Sequence, residues 1–557
     1  MYILLIFLLF LYPKLIYPAQ LRAQIGLGSI EGRFWNISLN PFADPSEKPE
    51  NRRVPVSSAI VFLGIPFLEP PVGELRFEEP RVLRRSWRGV RATKEFSKAC
   101  WAKKYEVPVA RSEDCLYMNV FTNEYCMKKK NCHVMVIVHY GQMYRFSPQA
   151  VRHDVIIQEY VAANIIVVIP PFRMGIFGFP NFGANRNLGL LDLIEGFKWV
   201  QREIGNFGGD RGKVTAHGYS SGALLIAILS TLPETRGLYG RQEDTYYNEQ
   251  YLPNRPFIDG KLVRGSVAEM IARKDFAKRH TFIGAVRQEF YTTLDCEDRD
   301  GNAILGSLRQ TCRLLALEYG YQTQAIQKCV DFYSRKNYAK MLTDDFLSFI
   351  PILEFANANY SPENRSHVYL YSYSYSNLKI LDEDFVPRPS HGHDSTFLYA
   401  RTRAKFENVT RDTVVARAYN GFARDFVKSR SPWLPYEPQK MRFFEFKSEN
   451  FAENSMRERF HGEAWEFWRS LDKFRKKSEI SRHSESFDMN ILHFYGYFKT
   501  KLIYQSFKDK SAPAIKILLA ETENHLESQK PSRFPVFLIL LAVFFVFLYN
   551  SMREMIF

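Results

Sequence analysis

The stretch Lys213-Val-Thr-Ala-His-Gly-Tyr-Ser-Ser-Gly-Ala-Leu-Leu-Ile-Ala-Ile-Leu-Ser230 reads as a strand, a tight turn and a helix. The run 214–217 is β-like, the turn 218–222 carries glycine at both ends, and the apolar run beyond it has helical character. Ser220 sits at the apex. In so tight a turn a Cβ at 218 or 222 would collide with neighbouring backbone, so both positions call for glycine. The following helix aims its first N–H groups at the space in front of Ser220, where charge developing on an oxygen is stabilised. In this setting Gly-x-Ser-x-Gly is a nucleophile elbow and Ser220 its candidate nucleophile. An ordinary glycine-bounded turn is the competing reading.

The rest of the chain bounds what such an elbow can belong to. Its 557 residues suffice for several domains, or for one large α/β domain with appended segments. Apolar residues make up 46%, ample for a core. The formal net charge is +15, but Lys and Arg are scattered and no nucleic-acid motif gathers them, so no nucleic-acid partner is expected.

Residues 1–19 read as a secretory signal with a short apolar run, 3–12; an uncleaved anchor is the other reading. A second apolar run, 534–549, is flanked by Arg533 and Arg553, which can snorkel. It is expected to be a single transmembrane helix with a short cytoplasmic tail, 550–557; a lipid-anchor signal is the runner-up. Seven cysteines, and four sequons at Asn36, Asn359, Asn364 and Asn408, agree with a secretory route and a lumenal or extracellular domain.

Further motifs lie on both sides of the elbow. Phe62-Leu-Gly-Ile-Pro-Phe-Leu-Glu-Pro-Pro-Val-Gly-Glu-Leu-Arg-Phe77, with Pro80 after it, is dense enough in Pro and Gly to specify a fixed loop. Trp87-Arg-Gly-Val-Arg-Ala-Thr93 and Ser112-Glu-Asp-Cys-Leu-Tyr-Met-Asn-Val120 follow. Val134-Met-Val-Ile-Val138 and the run 165–170 are continuous β-rich segments, the pattern of strands covered on both faces. Then come Phe172-Arg-Met-Gly-Ile-Phe-Gly-Phe179, Asn187-Leu-Gly-Leu-Leu-Asp192, Trp199-Val200 and Asn206-Phe-Gly-Gly-Asp210.

In order and spacing these motifs resemble those of the type-B carboxylesterase/cholinesterase family, and the resemblance covers about four-fifths of the chain up to Trp468. It implies an α/β-hydrolase fold, a mostly parallel central sheet flanked by helices, over 24–470. The polar stretch 471–533 has no counterpart and reads as an extension or stalk. The resemblance also implies a disulfide between Cys100 and Cys115. Cys126 and Cys132 are placed to close a small hairpin, while Cys296, Cys312 and Cys329 leave one pairing and one odd thiol, with the choice open.

A triad needs a base and an acid after the serine. By resemblance these are Glu289, in Thr281-Phe-Ile-Gly-Ala-Val-Arg-Gln-Glu-Phe290, and His391, in Pro389-Ser-His-Gly-His-Asp394. The oxyanion hole implied is backbone: Gly141, Gln142 and Ser221. Here His139-Tyr-Gly-Gln-Met143 departs from the family's glycine run, and side chains at Tyr140 and Gln142 are expected to crowd or strain the hole. Tyr219 replaces the family's acidic neighbour of the nucleophile. His393 and Asp394 lack a suitably spaced third ligand, so neither a metal nor a cofactor is expected.

After Arg236-Gly-Leu-Tyr239 the chain passes almost directly to Arg255-Pro-Phe-Ile-Asp-Gly260. Several tens of residues of the family pattern are missing, and a sheet strand is expected to go with them, exposing backbone groups unless the fold compensates. The expected function is a serine esterase acting on small uncharged esters; a choline ester is disfavoured because Trp101 stands at the wrong end of the 100–115 loop. The alternative is a membrane-anchored, neuroligin-like binding protein without catalysis, with a protein partner.

Overall fold

Strands that are apolar at every position need cover on both faces. Val134-Met-Val-Ile-Val138 and Ile165-Ile-Val-Val-Ile169 are wholly buried, and both are interior strands of one large sheet. The computed structural model describes residues 21–39, 53–101, 109–245, 256–273, 276–289, 296–298, 300–318, 320–363, 366–375, 378–380, 389, 391–392, 394, 404–406, 409–448 and 455–474. All belong to one compact unit, Met1–Ser478. The signal 1–19, the run 534–549, the tail 550–557 and nearly all of the stalk lie outside the described residues. Among the described residues no helix is long and apolar enough to cross a membrane.

The sheet comprises β1 (Arg33–Leu39), β2 (Arg53–Pro66), β3 (Tyr117–Thr122), β4 (Cys132–Val138), β5 (Ile165–Ile169), β6 (Gly209–Tyr219), β7 (Arg241–Thr245), β8 (His280–Val286), β9 (Val368–Tyr373), β10 (Phe443–Phe446) and β11 (Ser455–Arg457). These 11 strands lie in the order β11-β10-β9-β8-β7-β6-β4-β5-β3-β2-β1. From β10 through β5 every neighbouring pair is parallel. The remaining pairs, at both edges, are antiparallel. This is the mostly parallel sheet expected from the sequence. The Pro/Gly-rich segment differs in one detail: its first residues, up to Pro66, continue β2, and the loop begins at Phe67.

The main helices are α1 (Leu188–Glu203), α2 (Ser221–Thr231), α3 (Leu305–Glu318), α4 (Thr323–Tyr333), α5 (Ile350–Asn359), α6 (Val409–Val427) and α7 (Gly462–Leu471). Alternation along β4 divides them between the two faces. Val134, Val136 and Val138 join Leu193 of α1 and Leu225 and Leu229 of α2. Met135 and Ile137 join Ile156, Tyr160 and Val427, the last residue of α6.

The expected loss of a central strand does not occur. Arg241-Gln-Glu-Asp-Thr245 forms β7 and pairs parallel with β6 on one side and β8 on the other. It is a polar sequence in an interior position, held by local partners. Gln242 is buried and donates to Thr281 Oγ1 at 3.2 Å. The Arg241 guanidinium lies over the Phe426 ring, 5.3 Å from its centroid. Buried Arg279 donates to the carbonyls of Ser230 at 2.8 Å, Ala277 at 3.0 Å, and Thr235 and Tyr239 at 3.2 Å. The backbone acceptors where the chain turns from α2 back into β7 are thereby satisfied.

Three disulfides form. Cys100–Cys115 is the pair the resemblance implied. Cys126–Cys132 joins a short helix, Glu124–Lys129, to β4, so the hairpin expectation is corrected. Cys312–Cys329 ties α3 to α4 and leaves Cys296 as a buried free thiol. The expectation of a glycan at Asn359 is also corrected: its side chain is buried, donates to Phe355 O at 3.1 Å and accepts from Arg279 N at 3.3 Å. Asn36 is exposed on β1, and Asn364 and Asn408 lie outside the described residues.

Candidate active site

The elbow is built as its sequence requires. Tyr219 ends β6, α2 starts at Ser221, and Ser220 between them has φ 57° and ψ −130°. A non-glycine residue in this region is strained, and such strain persists only where the surroundings hold it. A Cβ on Gly218 would lie 2.6 Å from the carbonyl carbon of Gly222, and one on Gly222 would lie 2.2 Å from Val138 O. The second clash shows how closely the elbow abuts the end of β4, where the 139–143 loop begins.

Two loops bring the partners to Ser220. Glu289 follows β8, and its Oε1 accepts from Val286 N at 3.0 Å, which fixes the carboxylate. Its Oε2 lies 2.6 Å from His391 Nδ1. The other ring nitrogen of His391, Nε2, lies 3.2 Å from Ser220 Oγ. Ser220 and Glu289 are buried, while the His391 side chain keeps 22% of its exposure, so solvent or a ligand reaches the line from the imidazole side. Such a chain of groups can take a proton from the hydroxyl and hold the resulting imidazolium.

The 139–143 loop accommodates its departures. Gly141 has φ 115°, and a Cβ there would meet Arg145 O at 2.3 Å, so glycine is required. Gln142 and Met143 take left-handed conformations, with φ 55° and 60°. Tyr140 is buried, packed on Phe146 with ring centroids 4.0 Å apart and edge-on to Tyr219 at 5.5 Å. The Gln142 side-chain carbonyl accepts from Tyr144 OH at 2.8 Å. Both side chains thus have places of their own. His139 stacks on Phe172, and burial pushes its imidazole down to about 4, keeping it neutral.

The loop is also tied to the segment that follows β5. Gly175 N donates to Met143 O at 2.6 Å, and the adjacent Met174 lines a crevice with Phe77, Phe177 and Trp101 beside the Cys100–Cys115 bridge. Phe77 and Phe177 stack with centroids 5.7 Å apart. The Arg76–Glu113 ion pair borders the crevice, its shorter contact 2.5 Å. Other motif residues are structural: the Arg173 guanidinium holds Asp192 in a buried pair at 2.8 Å. Among the described residues no His, Cys, Asp and Glu side chains gather to hold a metal ion. His393 lies outside them.

One neighbour of the site escaped the sequence reading. Tyr219, noticed only as a missing acid, stacks on the His391 ring with centroids 5.3 Å apart and planes 21° from parallel. Tyr219 ends β6 and His391 lies far along the chain, so no local spacing signals their contact.

A mostly parallel sheet with a strained serine after one strand, and a glutamate and a histidine after later strands, defines an α/β-hydrolase. The chain belongs to the carboxylesterase family, whose profile matches residues 48–242 and 240–468. It is 34% identical over 231 residues to liver carboxylesterase 1 of Oryctolagus cuniculus, covering 38% of each chain. It is 36% identical over 200 residues to pyrethroid hydrolase Ces2a of Mus musculus, covering 33% of this chain and 35% of that one. The matched part therefore spans little more than a third of these relatives' length. In fold it is similar to PNB esterase, with TM-score 0.63 at 20% identity, covering 80% of this chain and 99% of that one.

Proposed function

We propose that the chain is a serine carboxylesterase for small uncharged esters. Ser220 Oγ attacks the ester carbonyl while His391 Nε2 takes its proton and Glu289 steadies the imidazolium. The tetrahedral oxyanion faces the backbone N–H groups of Gly141, Gln142 and Ser221. Collapse expels the alcohol, which leaves with the proton from His391. Water, or a second alcohol, then removes the acyl group by the same steps. The observation that carries this reading is the unbroken line from Ser220 through His391 to Glu289. A binding protein without catalysis would have no need of the strained serine.

The names of the relatives, a carboxylesterase and a pyrethroid hydrolase, support an ester substrate. Three disulfides suit an oxidising compartment, and a lumenal or extracellular domain anchored through 534–549 accommodates them.

Hydrolysis of p-nitrophenyl acetate by the full chain tests the reading. Activity that disappears in Ser220→Ala is expected. Equal rates for the two proteins would overturn it.

A further inference from the structure

The nucleophile's N-terminal neighbour is an aromatic ring, and its position has a consequence for the base. Tyr219 is 2% exposed and stacks on His391 in an offset, near-parallel arrangement. Tyr140, from the oxyanion loop, meets Tyr219 edge-on with planes at 75°, and Phe146 closes the stack behind Tyr140. Four rings thus run from the oxyanion loop to the imidazole. His391 meets Glu289 at Nδ1, Ser220 at Nε2 and the Tyr219 ring alongside its own.

An aromatic face carries negative quadrupole density and attracts a cation placed over it. The imidazole is neutral before the serine attacks and positive afterwards, so the ring favours the charged state that forms during the reaction. The face also restricts rotation of the imidazole away from Ser220.

We propose that Tyr219 is the positioning residue of this site, holding His391 by its ring face and stabilising the imidazolium in place of a second carboxylate. The phenol oxygen plays no part in this. The role rests on the esterase reading for its kinetic consequence, but the ring-face effect on His391 stands apart from catalysis.

Two readouts separate them. The first is the titration of His391, followed by NMR of the 13C-labelled imidazoles and assigned with His391→Gln. Tyr219→Leu is expected to lower its pKa by about half a unit to one unit, and Tyr219→Phe to leave it in place. The second is kcat/KM against pH for p-nitrophenyl acetate. The acid limb should move down with the titration in Tyr219→Leu, with kcat falling about tenfold and KM little changed, while Tyr219→Phe stays within about threefold of the parent.

If Tyr219→Leu does not fold, trifluorophenylalanine at 219 replaces it. This substitution keeps the shape and withdraws density from the face, so its pKa should fall relative to Tyr219→Phe. A His391 titration identical in all the folded variants would overturn the proposal, as would equal losses in Tyr219→Phe and Tyr219→Leu. An inactive parent chain would overturn the esterase reading, while the titration still decides the role of the ring.

Discussion

Glu289 and His391 stand 102 residues apart in the chain, yet Oε2 and Nδ1 meet at 2.6 Å. Because the second carboxylate oxygen is held by Val286 N, the first presents itself to the ring at a fixed angle. Glu289→Gln removes the charge that stabilises the imidazolium and presents an amide that can hold the wrong tautomer. The expected fall in kcat is about 10³- to 10⁴-fold with little change in KM. Steady-state rates with a short-chain ester check it; a loss below tenfold would remove Glu289 from the mechanism.

Gly222 cannot accept a side chain without a shift of backbone, since its Cβ would sit 2.2 Å from Val138 O. Gly222→Ala must push α2 away from β4, which misplaces Ser220 and Ser221 together. Activity should fall more than 100-fold, with stability lower by roughly 1–3 kcal/mol. Gly205→Ala is the control, because a Cβ there meets nothing within 4 Å. Equal thermal melts for the two variants would contradict the packing described.

Arg279 holds together the junction where the family pattern is shortened. Its guanidinium serves four carbonyls and lies 4.4 Å from the centroid of the Tyr239 ring. Arg279→Met fills much of the space but leaves those acceptors buried and unpaired. A loss of about 2–4 kcal/mol is expected, read as a lower urea midpoint at unchanged slope. An unchanged midpoint would show that β7 is held by other means.

Acid should destabilise the fold through buried His139 and half-buried His153. Burial is the first cause that lowers both His139 and His153 from 6.5 to about 4. Their folded pKa values lie below the unfolded ones, so between about pH 4 and 6.5 the unfolded chain binds more protons. Stability is fully present above pH 6.5 and is lost as pH falls through that window, by about 1.4 kcal/mol per pH unit for each group. His139→Asn should flatten the dependence of Tm on pH in this range. The same slope in the variant would mean that His139 is already charged when folded.

The motifs of the first half were legible because each encodes a local constraint. The glycines at 218 and 222, the paired Arg173 and Asp192, and the buried runs 134–138 and 165–169 all sit where their chemistry demands. Glu289 and His391 could be placed only by family pattern, since nothing local distinguishes a catalytic glutamate from one that merely follows a strand. The polar strand Arg241–Thr245 was illegible for a physical reason. Its sequence has no β-branched residue before Thr245, and its place in the sheet is set by neighbours on both sides and by Arg279. Asn359 shows the converse: a sequon is a three-residue pattern, and the burial that makes it inaccessible comes from the fold.

The most direct test is covalent labelling of the folded, full-length protein with a fluorophosphonate probe, beside Ser220→Ala and His391→Gln. The account expects stoichiometric labelling of the parent at Ser220, none in Ser220→Ala, and labelling slowed by at least 100-fold in His391→Gln. A parent chain that stays unlabelled, or one labelled equally with Ser220 removed, would contradict it.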